Sequence, residues 1–304
     1  VAFTSTTLLE LAGRLIGLEN VDSRDGIIRL SVLYGHLAEG ASVEWSTRDH
    51  EEVVQEALWA KSEFWKDFVA PGVAARRERG GSQGTRDLLD ALLGDEGHAW
   101  SDEEMLRECI LYLVAAIGTT SALVTHAVDE LAEWFDLHPE DRKLSDSPEF
   151  LRKAAIEALR LHVPTTALIR RPLETYIDDQ GRNFEPHELV ALDLGGANRD
   201  LSEVGGDAES FNPYREVPTG VASFGHAFGG GPHMCIGRML AVRSTPCGAD
   251  GSWGIAVRIL HALFAADIGP DRDSSPKWSE AYLDIYSEYP VILNSEKIKG
   301  YVSS

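Results

Sequence analysis

A glycine-rich loop around Cys235 has the residue types and spacing that could carry chemistry. Residues 224–237 read FGHAFGGGPHMCIG. A metal binds the thiolate form of cysteine, which persists where backbone N–H groups and the N-terminus of a following helix point at the sulfur. Three consecutive glycines let the main chain bend sharply and come close to a bound group. The loop therefore predicts a thiolate ligand at Cys235; the alternative is an inert buried cysteine.

The second half of this loop resembles the haem-binding segment of soluble bacterial cytochromes P450. Residues 228–237 match the pattern F-x-x-G-x-H-x-C-x-G at every position, with Gly231 and Gly237 as its glycines. The resemblance implies that Cys235 is the axial ligand of the iron in haem b and that His233 meets a haem propionate. Phe228 is expected to shield the sulfur from water and to tune its electron donation.

Further motifs agree with this family in order and interval. Glu157 and Arg160 resemble its E-x-x-R pair, which is buried and braces the coil that carries the cysteine. Residues 197–200 resemble its A-N-R-D segment, and residues 211–215 resemble its F-x-P-x-R motif, whose arginine, here Arg215, completes the network. Without the resemblance, a Glu–Arg pair at this spacing indicates only a surface ion pair. The three residues are interpreted as structural, not catalytic.

Four arginines are candidates for contacts with charged groups. Arg170 aligns with the family's propionate-binding arginine, and Arg171 replaces it if the register is shifted by one; the alternative is a solvated arginine. Arg238 and Arg243, close after the ligand, are candidates for docking an acidic redox partner.

Residues 115–120, AAIGTT, resemble the A-G-x-[D/E]-T-T segment that crosses the distal face of the haem. Thr119 then corresponds to the threonine that helps deliver protons to dioxygen. Gly118 stands where the family has an acid, and Ala116 stands where it has a glycine. The alternative is that Thr119 only bonds back to its own helix. The residues expected to line the substrate pocket are Ala115, Ala116, Thr165, Thr166 and Ala167.

The elements that position these residues are predicted to be mostly helical. Ser101 and Glu104 form a capping box for a long core helix that His138-Pro139 stops, and Ser147 with Pro148 opens another helix. The fold class is mainly α with a small β portion, namely an N-terminally incomplete cytochrome P450 fold, and residues 1–304 are expected to form a single haem-binding domain. The leucines between Leu8 and Leu18 are spaced for one face of a first helix. Further helices are predicted for residues 25–40, 49–75, 87–94, 101–135, 147–161, 236–242 and 255–264. Short strands are predicted for residues 165–192, irregular coil up to residue 231, and an edge hairpin for residues 281–292.

Charge and cysteine content limit the possible partners and location. The net charge of −21 disfavours nucleic acid and anionic membranes, and the apolar stretch 109–118 is too short to span a bilayer. Three cysteines are too few for a disulfide framework, and Cys109 and Cys247 lack companions that indicate a ligand. No export signal is visible at the start of the sequence. A cytoplasmic location is therefore expected.

The resemblance implies a haem-thiolate monooxygenase that inserts one oxygen atom from dioxygen into an apolar small molecule. NAD(P)H electrons would arrive through ferredoxin reductase and ferredoxin. One alternative is haem-thiolate chemistry of another kind, namely peroxide use, isomerisation or dehydration, which Gly118 motivates. Another is a catalytically degenerate accessory protein, because the family's first section is absent. The chain is thus expected to be either a piece of a longer protein or a shortened variant. Residues 245–253 break a helix that is normally continuous in the family, and they are either an insertion or a sequence anomaly.

Overall fold

The computed structural model describes residues 2–80, 84, 86–243, 252–279 and 284–294. The chain divides into two compact units, and the division falls between Ser121 and Ala122, inside the longest helix. Each unit is described by itself below. The single haem-binding domain stays a prediction.

Three helices of the first unit begin at side-chain caps. Ser23 accepts a hydrogen bond from the Gly26 N–H at 3.0 Å, and Asp49 and Asp87 cap two further helices in the same way. These caps fall where the sequence predicted helices to start, and the predicted helices are confirmed. The elements are α1 (Ala2–Ile16), α2 (Arg24–Ala41), α3 (His50–Phe64), a π-helical turn (Trp65–Val69), α4 (Ala70–Glu78) and α5 (Leu88–Leu93).

Helix α6 (Asp102–Leu137) confirms the predicted core helix. The Glu104 carboxylate accepts from the Ser101 N–H at 2.8 Å, and the Ser101 hydroxyl oxygen accepts from the Glu104 N–H at 3.3 Å, so the capping box is formed. With a mean hydropathy of 1.6 in its most apolar window, the helix passes a length-and-composition test for a membrane span, yet 56% of that window is buried inside the protein. Core helices of soluble proteins share these properties.

Helix α7 (Pro148–Leu161) belongs to the second unit. The Ser147 hydroxyl caps it by accepting from the Phe150 N–H at 3.3 Å, as predicted. Its last eight residues are all buried. An ion pair formed within this stretch is therefore shielded from solvent. The remaining helices are α8 (Leu194–Ala197), α9 (Leu201–Val204), α10 (Arg238–Ala241) and α11 (Ile255–Ala265).

The strands form four two-stranded antiparallel sheets within the described residues, which confirms a mainly α fold with a small β portion. The longest pair joins Ala167–Arg170 to Val190–Asp193, and the predicted pocket residues Thr165 and Thr166 directly precede its first strand. The strands are β1 (Ala167–Arg170), β2 (Tyr176–Ile177), β3 (Asn183–Phe184), β4 (Val190–Asp193), β5 (Gly269–Pro270), β6 (Lys277–Trp278), β7 (Tyr286–Glu288) and β8 (Val291–Ile292).

The edge hairpin predicted for residues 281–292 is wrong in its pairing. Strand β7 pairs with β6, and β8 pairs with β5, so the two tail strands do not pair with each other. The tail instead lies along residues 269–278, because Tyr286 stacks on Trp278 with ring centroids 4.0 Å apart and the Asp271 N–H donates to the Pro290 carbonyl at 3.0 Å. Residues 281–283 lie outside the described residues.

The helix that follows the cysteine is shorter than predicted. Helix α10 is a single turn, and Arg243 just after it has a positive φ of 49°, a conformation that ends a right-handed helix. Most of the interrupting stretch 245–253, including Cys247, lies outside the described residues.

The capping box gives a first prediction. Replacing Ser101 by Ala removes the cap of α6 and should lower the free energy of unfolding by about 1 kcal/mol, measured by urea denaturation. Ser31→Ala, an exposed position inside α2, is the matched control and should cost nothing because alanine favours a helix interior. Equal effects of the two changes would contradict the capping role.

Candidate functional site

Arg160 is a buried cation paired on its own helix. Its side chain is 1% exposed, and that of Glu157, three residues earlier, is 4% exposed. The pairing is bidentate: the Arg160 Nε and Nη2 groups donate to the two Glu157 carboxylate oxygens at 2.9 and 2.8 Å. Two parallel charge-assisted bonds in a dry environment make this a strong interaction. It is not the exposed ion pair that the spacing alone indicates.

The remaining N–H groups of Arg160 connect α7 to the irregular coil. The Nη1 group donates to the carbonyls of Asn198 and Ala208, both at 2.8 Å. Arg215 joins the same network, since its Nε donates to Glu157 Oε1 at 2.8 Å and its Nη1 to Asp207 Oδ1 at 2.7 Å. The structure therefore brings together Glu157, Arg160 and Arg215, the three residues that the sequence grouped.

Asn198 extends this network to the cysteine loop. Its Nδ2 donates to the Arg160 carbonyl at 3.0 Å, and its Oδ1 accepts from the His226 N–H at 2.6 Å. The residue is 1% exposed, and its amide lies so close to Gly225 that any Cβ at that position would overlap it. Asn198 belongs to the A-N-R-D segment, but the sequence indicates no role for it, because its amide bonds to the backbone of residues that are distant in the chain.

The loop presents Cys235 through main-chain bonds. The Cys235 N–H donates to the Phe228 carbonyl at 2.9 Å, and the Phe228 ring packs edge-on against Phe224 with centroids 5.0 Å apart. The chain reverses between these residues through Gly231, whose φ is +63°, a value that a residue with a side chain rarely adopts. Gly237 lies beside the sulfur, since a Cβ there would be 3.6 Å from Cys235 Sγ.

The surroundings of Cys235 fit a flat, largely apolar cofactor bound through sulfur. Cys235 is an exposed free thiol, and Ile236 next to it is 75% exposed. A Cβ built at Gly230 or Gly231 meets no atom within 4 Å, so the loop leaves open space on this side. Haem bound to the Cys235 thiolate would cover both the exposed sulfur and the exposed side chain of Ile236. The residues present therefore fit the predicted group.

The predicted propionate and partner residues lie at accessible positions of the same unit. His233 is exposed in the turn Gly231–His233. Arg170 is exposed at the end of β1, where its Nη1 donates to the Ile169 carbonyl at 2.9 Å. Arg238 is half-buried, and its Nη1 donates to the Cys235 carbonyl at 3.1 Å; the Arg243 Nη1 donates to the Ser252 carbonyl at 3.2 Å.

The predicted pocket residues of the second unit border β1. Thr165 is exposed, and Thr166 and Ala167 are half-buried. The Thr166 carbonyl accepts from the Leu194 N–H at 2.8 Å, which fixes the backbone of this segment.

The predicted distal residues belong to the first unit. Thr119 and Ala115 are exposed on α6, Ala116 is half-buried, and the Thr119 hydroxyl donates to the Ala115 carbonyl at 2.7 Å. The hydroxyl proton is therefore committed to the helix, while the oxygen can still accept a bond. This is the back-bonded geometry that the sequence left open as the alternative.

Tyr34 occupies space next to Gly118 that a side chain there would need. A Cβ at Gly118 would lie 3.2 Å from the Tyr34 hydroxyl oxygen. Burial raises the pKa of Tyr34 to about 12, so the phenol is neutral at physiological pH. No sequence pattern links Tyr34 to Gly118, because the two residues are 84 positions apart in the chain.

Comparisons with known proteins show the family to which the chain belongs. A family model for cytochrome P450 matches residues 48–244. Biotin biosynthesis cytochrome P450 of Bacillus subtilis is 35% identical over 158 residues, which cover 51% of this chain and 37% of that protein. Vitamin D(3) 25-hydroxylase of Pseudonocardia autotrophica is 32% identical over 158 residues, 51% of this chain and 37% of that protein. The chain thus spans less than half the length of these relatives.

Solved structures agree on the fold. The ligand-free structure of cytochrome P450 TbtJ1 superposes with a TM-score of 0.74 at 19% identity, covering 95% of this chain and 69% of that one. The structure of P450BioI in complex with an acyl carrier protein gives 0.71 at 24% identity, covering 95% and 67%. The fold predicted from the sequence is confirmed.

The buried ion pair gives a second prediction. Glu157→Gln leaves the cations of Arg160 and Arg215 without their shared carboxylate and should lower the free energy of unfolding by about 3–5 kcal/mol. The same helix supplies the control: Glu149 pairs with Arg152 at the same spacing, but its side chain is 40% exposed. Glu149→Gln should therefore cost at most about 1 kcal/mol. Chemical denaturation measures both, and equal costs would contradict the special role of the buried pair.

Gly225 gives a third prediction. Its φ is +57°, and an alanine there both strains the backbone and displaces Asn198, so Gly225→Ala should lower the free energy of unfolding by at least about 1–2 kcal/mol. Gly206→Ala is the control, because a Cβ at Gly206 meets no atom within 4 Å. A stable Gly225→Ala protein with native denaturation behaviour would show that the loop does not depend on this contact.

Proposed function

Because this chain belongs to the cytochrome P450 family, we propose that it acts as a haem-thiolate monooxygenase that inserts one oxygen atom from dioxygen into an apolar small molecule. The observation that carries the proposal is the exposed Cys235 at the end of its glycine loop, tied through Asn198 to the buried Glu157–Arg160 pair. Relatives named as a hydroxylase and as a monooxygenase support the reaction type.

Cys235, as a thiolate, is the residue that would hold the iron of haem b. Haem bound there supplies the reductive activation of dioxygen, and cysteinate donation favours cleavage of the O–O bond. Phe228 packs against Phe224, and we assign to it the role of shielding the sulfur from water once haem is bound. Glu157, Arg160 and Arg215 take no part in the chemistry. They hold the irregular coil that leads into the cysteine loop.

We assign proton delivery to Thr119. Its hydroxyl donates to the Ala115 carbonyl, which leaves its oxygen as an acceptor for a water molecule in the pocket. With haem bound, the Thr119 hydroxyl would turn away from the Ala115 carbonyl to donate a hydrogen bond to the dioxygen substrate, and the water whose hydrogen bond it accepts would resupply the proton. Gly118 contributes no acid, so protons must reach Thr119 through water.

The electrons are proposed to come from NAD(P)H through a ferredoxin reductase and a ferredoxin that docks near Arg238 and Arg243. Cytochromes P450 of this family use redox partners, although two relatives are named as fusions with an NADPH–P450 reductase. A soluble, cytoplasmic protein without nucleic-acid or membrane partners fits the acidic composition.

The carbon-monoxide difference spectrum of the reduced protein tests the ligand. The red-shifted Soret band characteristic of cysteinate ligation should be present in the wild type and absent in Cys235→Ser. Cys109→Ser is the matched control, because Cys109 is buried in α6 and burial raises the pKa of its thiol to about 12. Haem bound without that band in the wild type, or the band persisting in Cys235→Ser, would contradict the assignment.

A second candidate function keeps the haem-thiolate but uses peroxide, or performs an isomerisation or dehydration. It is favoured by one observation: Tyr34, and not a carboxylate, fills the space at Gly118. Turnover under isotopically labelled dioxygen separates the two. Label incorporated into the product together with NAD(P)H consumption supports monooxygenation, whereas product formed only with added peroxide, or without any label, supports the second candidate.

The threonine gives a fourth prediction. Thr119→Val removes the hydroxyl and should lower product formed per NAD(P)H consumed by roughly 10-fold or more, with the Soret band unchanged. Thr119→Ser keeps a hydroxyl and should retain most of the coupling. If valine and serine variants couple equally well, Thr119 is not the proton relay.

A further inference from the structure

Two histidines stack face to face outside the cysteine site. His126 belongs to α6, and His162 is the residue that ends α7. Their imidazole rings are parallel, with centroids 4.0 Å apart and an interplanar angle of 2°. Both rings also form a hydrogen bond to Asp284, which lies in the tail segment, residues 284–294. The stacked pair therefore lies where the tail meets two helices.

His162 is bonded as an imidazolium. Its Nε2 lies 2.7 Å from Glu130 Oε1, and its Nδ1 lies 3.0 Å from Asp284 Oδ2. Because an ionised carboxylate only accepts hydrogen bonds, both ring nitrogens must carry a proton to satisfy the two contacts. The side chains of His162 and Glu130 are each 19% exposed, so this attraction is screened less than that of a surface pair.

His126 is bonded as a neutral ring. Its Nε2 donates to the Asp284 main-chain carbonyl at 3.0 Å, and its Nδ1 is buried without a hydrogen-bond partner among the described residues. A proton on Nδ1 would have no acceptor there. It would also place a second positive charge on a ring whose centroid is 4.0 Å from that of His162. The pair therefore carries one positive charge.

We propose that this stacked pair is a pH-sensitive clasp that fastens the tail segment to α6 and α7. The clasp is closed when the pair carries one positive charge. A second proton opens it by charge repulsion between the rings. Loss of the first proton opens it as well, because a lone pair of His162 then faces a carboxylate. The proposal does not depend on the monooxygenase reaction, since no group near Cys235 takes part in it.

Three carboxylates surround the pair. Glu130 on α6 and Asp284 on the tail both bond to His162. The third, Asp129 on α6, accepts from the hydroxyls of Tyr286 and Tyr289 at 2.6 and 2.7 Å. These two phenols therefore satisfy Asp129 and attach the tail to α6 a second time, at a point that does not involve the histidines.

Two further charged groups complete the surroundings of the pair. Arg199 lies on the coil side, and its charge helps to lower the pKa of Asp284, although the hydrogen bond from His162 has the larger effect. Glu133 lies further along α6, where burial and the charges of neighbouring carboxylates raise its pKa. The carboxylates outnumber the cations around the pair, which favours retention of its single proton charge.

The two histidines titrate in opposite directions. Burial opposes the charge on His162, but the bonds to Asp284 and Glu130 outweigh it and raise its pKa to about 9. Burial, together with the charge of His162, lowers the pKa of His126 to about 4. An ordinary histidine titrates near about 6.5. The two shifts therefore lie on opposite sides of that value.

These shifts give the clasp a stability maximum. The stabilisation from His162 is complete below about pH 6.5 and is lost as the pH rises through about 9. That from His126 is complete above about pH 6.5 and is lost as the pH falls through about 4. The tail should therefore be held most firmly near about pH 6.5 and less firmly on either side.

Hydrogen exchange of the full chain from about pH 5.5 to about pH 8.5, followed by mass spectrometry, tests the clasp. Protection of the amides in residues 284–294, corrected for the intrinsic exchange rate, should peak near about pH 6.5. It should fall on either side by up to about tenfold per pH unit, the change linked to one proton. Peptides of α2 and α3 should not follow this profile.

Substitutions separate the two sides of the profile. His162→Gln should abolish the alkaline fall and His126→Gln the acid fall, because glutamine does not titrate. His50→Gln, which replaces an exposed histidine on α3, is the matched control and should leave the profile unchanged. Tail protection that does not vary with pH in the wild type, or both falls persisting in each glutamine variant, overturns the proposal.

Nitrogen NMR of the imidazole groups tests the same assignment in the wild type, without any substitution. At neutral pH, His162 should carry a proton on both ring nitrogens, and His126 should carry one on Nε2 only. This result supports the clasp even where a glutamine variant fails to fold. A neutral His162, or a positively charged His126, at neutral pH overturns it.

Discussion

The guanidinium of Arg160 is buried with a side-chain exposure of 1%, and an ion in that environment is tolerable only when its donors are satisfied. Glu157 supplies two acceptors from the same helix. The others are carbonyls of Asn198, Ala208 and Ser210, which lie 38, 48 and 50 residues further along the chain. The irregular coil that contains these carbonyls must therefore pack against α7. The buried charge of Arg160 thus determines where this coil runs.

Asn198 connects the buried ion pair to the cysteine loop. Its side chain bonds to the Arg160 carbonyl on one side and to the His226 N–H on the other, and the glycine at position 225 leaves room for the Asn198 amide against the loop backbone. From His226 the chain needs only the turn through Gly231 to bring Cys235 back against the Phe228 carbonyl. The loop leaves its thiol exposed for a cofactor, and it is held by Asn198 as well as by its own internal bonds.

Local signals predicted most helices, because a cap such as Ser147 or the Ser101–Glu104 box acts within one helical turn. The roles of Cys235, Glu157, Arg160 and Arg215 came from the family resemblance, since the bare Glu–Arg spacing indicates only a surface pair. What the sequence did not predict depends on contacts between distant residues: Tyr34 beside Gly118, His126 stacked on His162, and tail strands paired with residues 269–278. No periodicity in one segment encodes such partners.

Hydrogen exchange of the haem-free protein, followed by mass spectrometry, tests most directly whether Asn198 holds the cysteine loop. In Asn198→Ala, amides of residues 224–237 should exchange about tenfold faster or more, the equivalent of losing one buried bond of about 1.4 kcal/mol, while α2 and α3 exchange as in the wild type. Asn183→Ala, an exposed asparagine in β3, should change neither region. Loop exchange that is unaltered in Asn198→Ala would contradict the account.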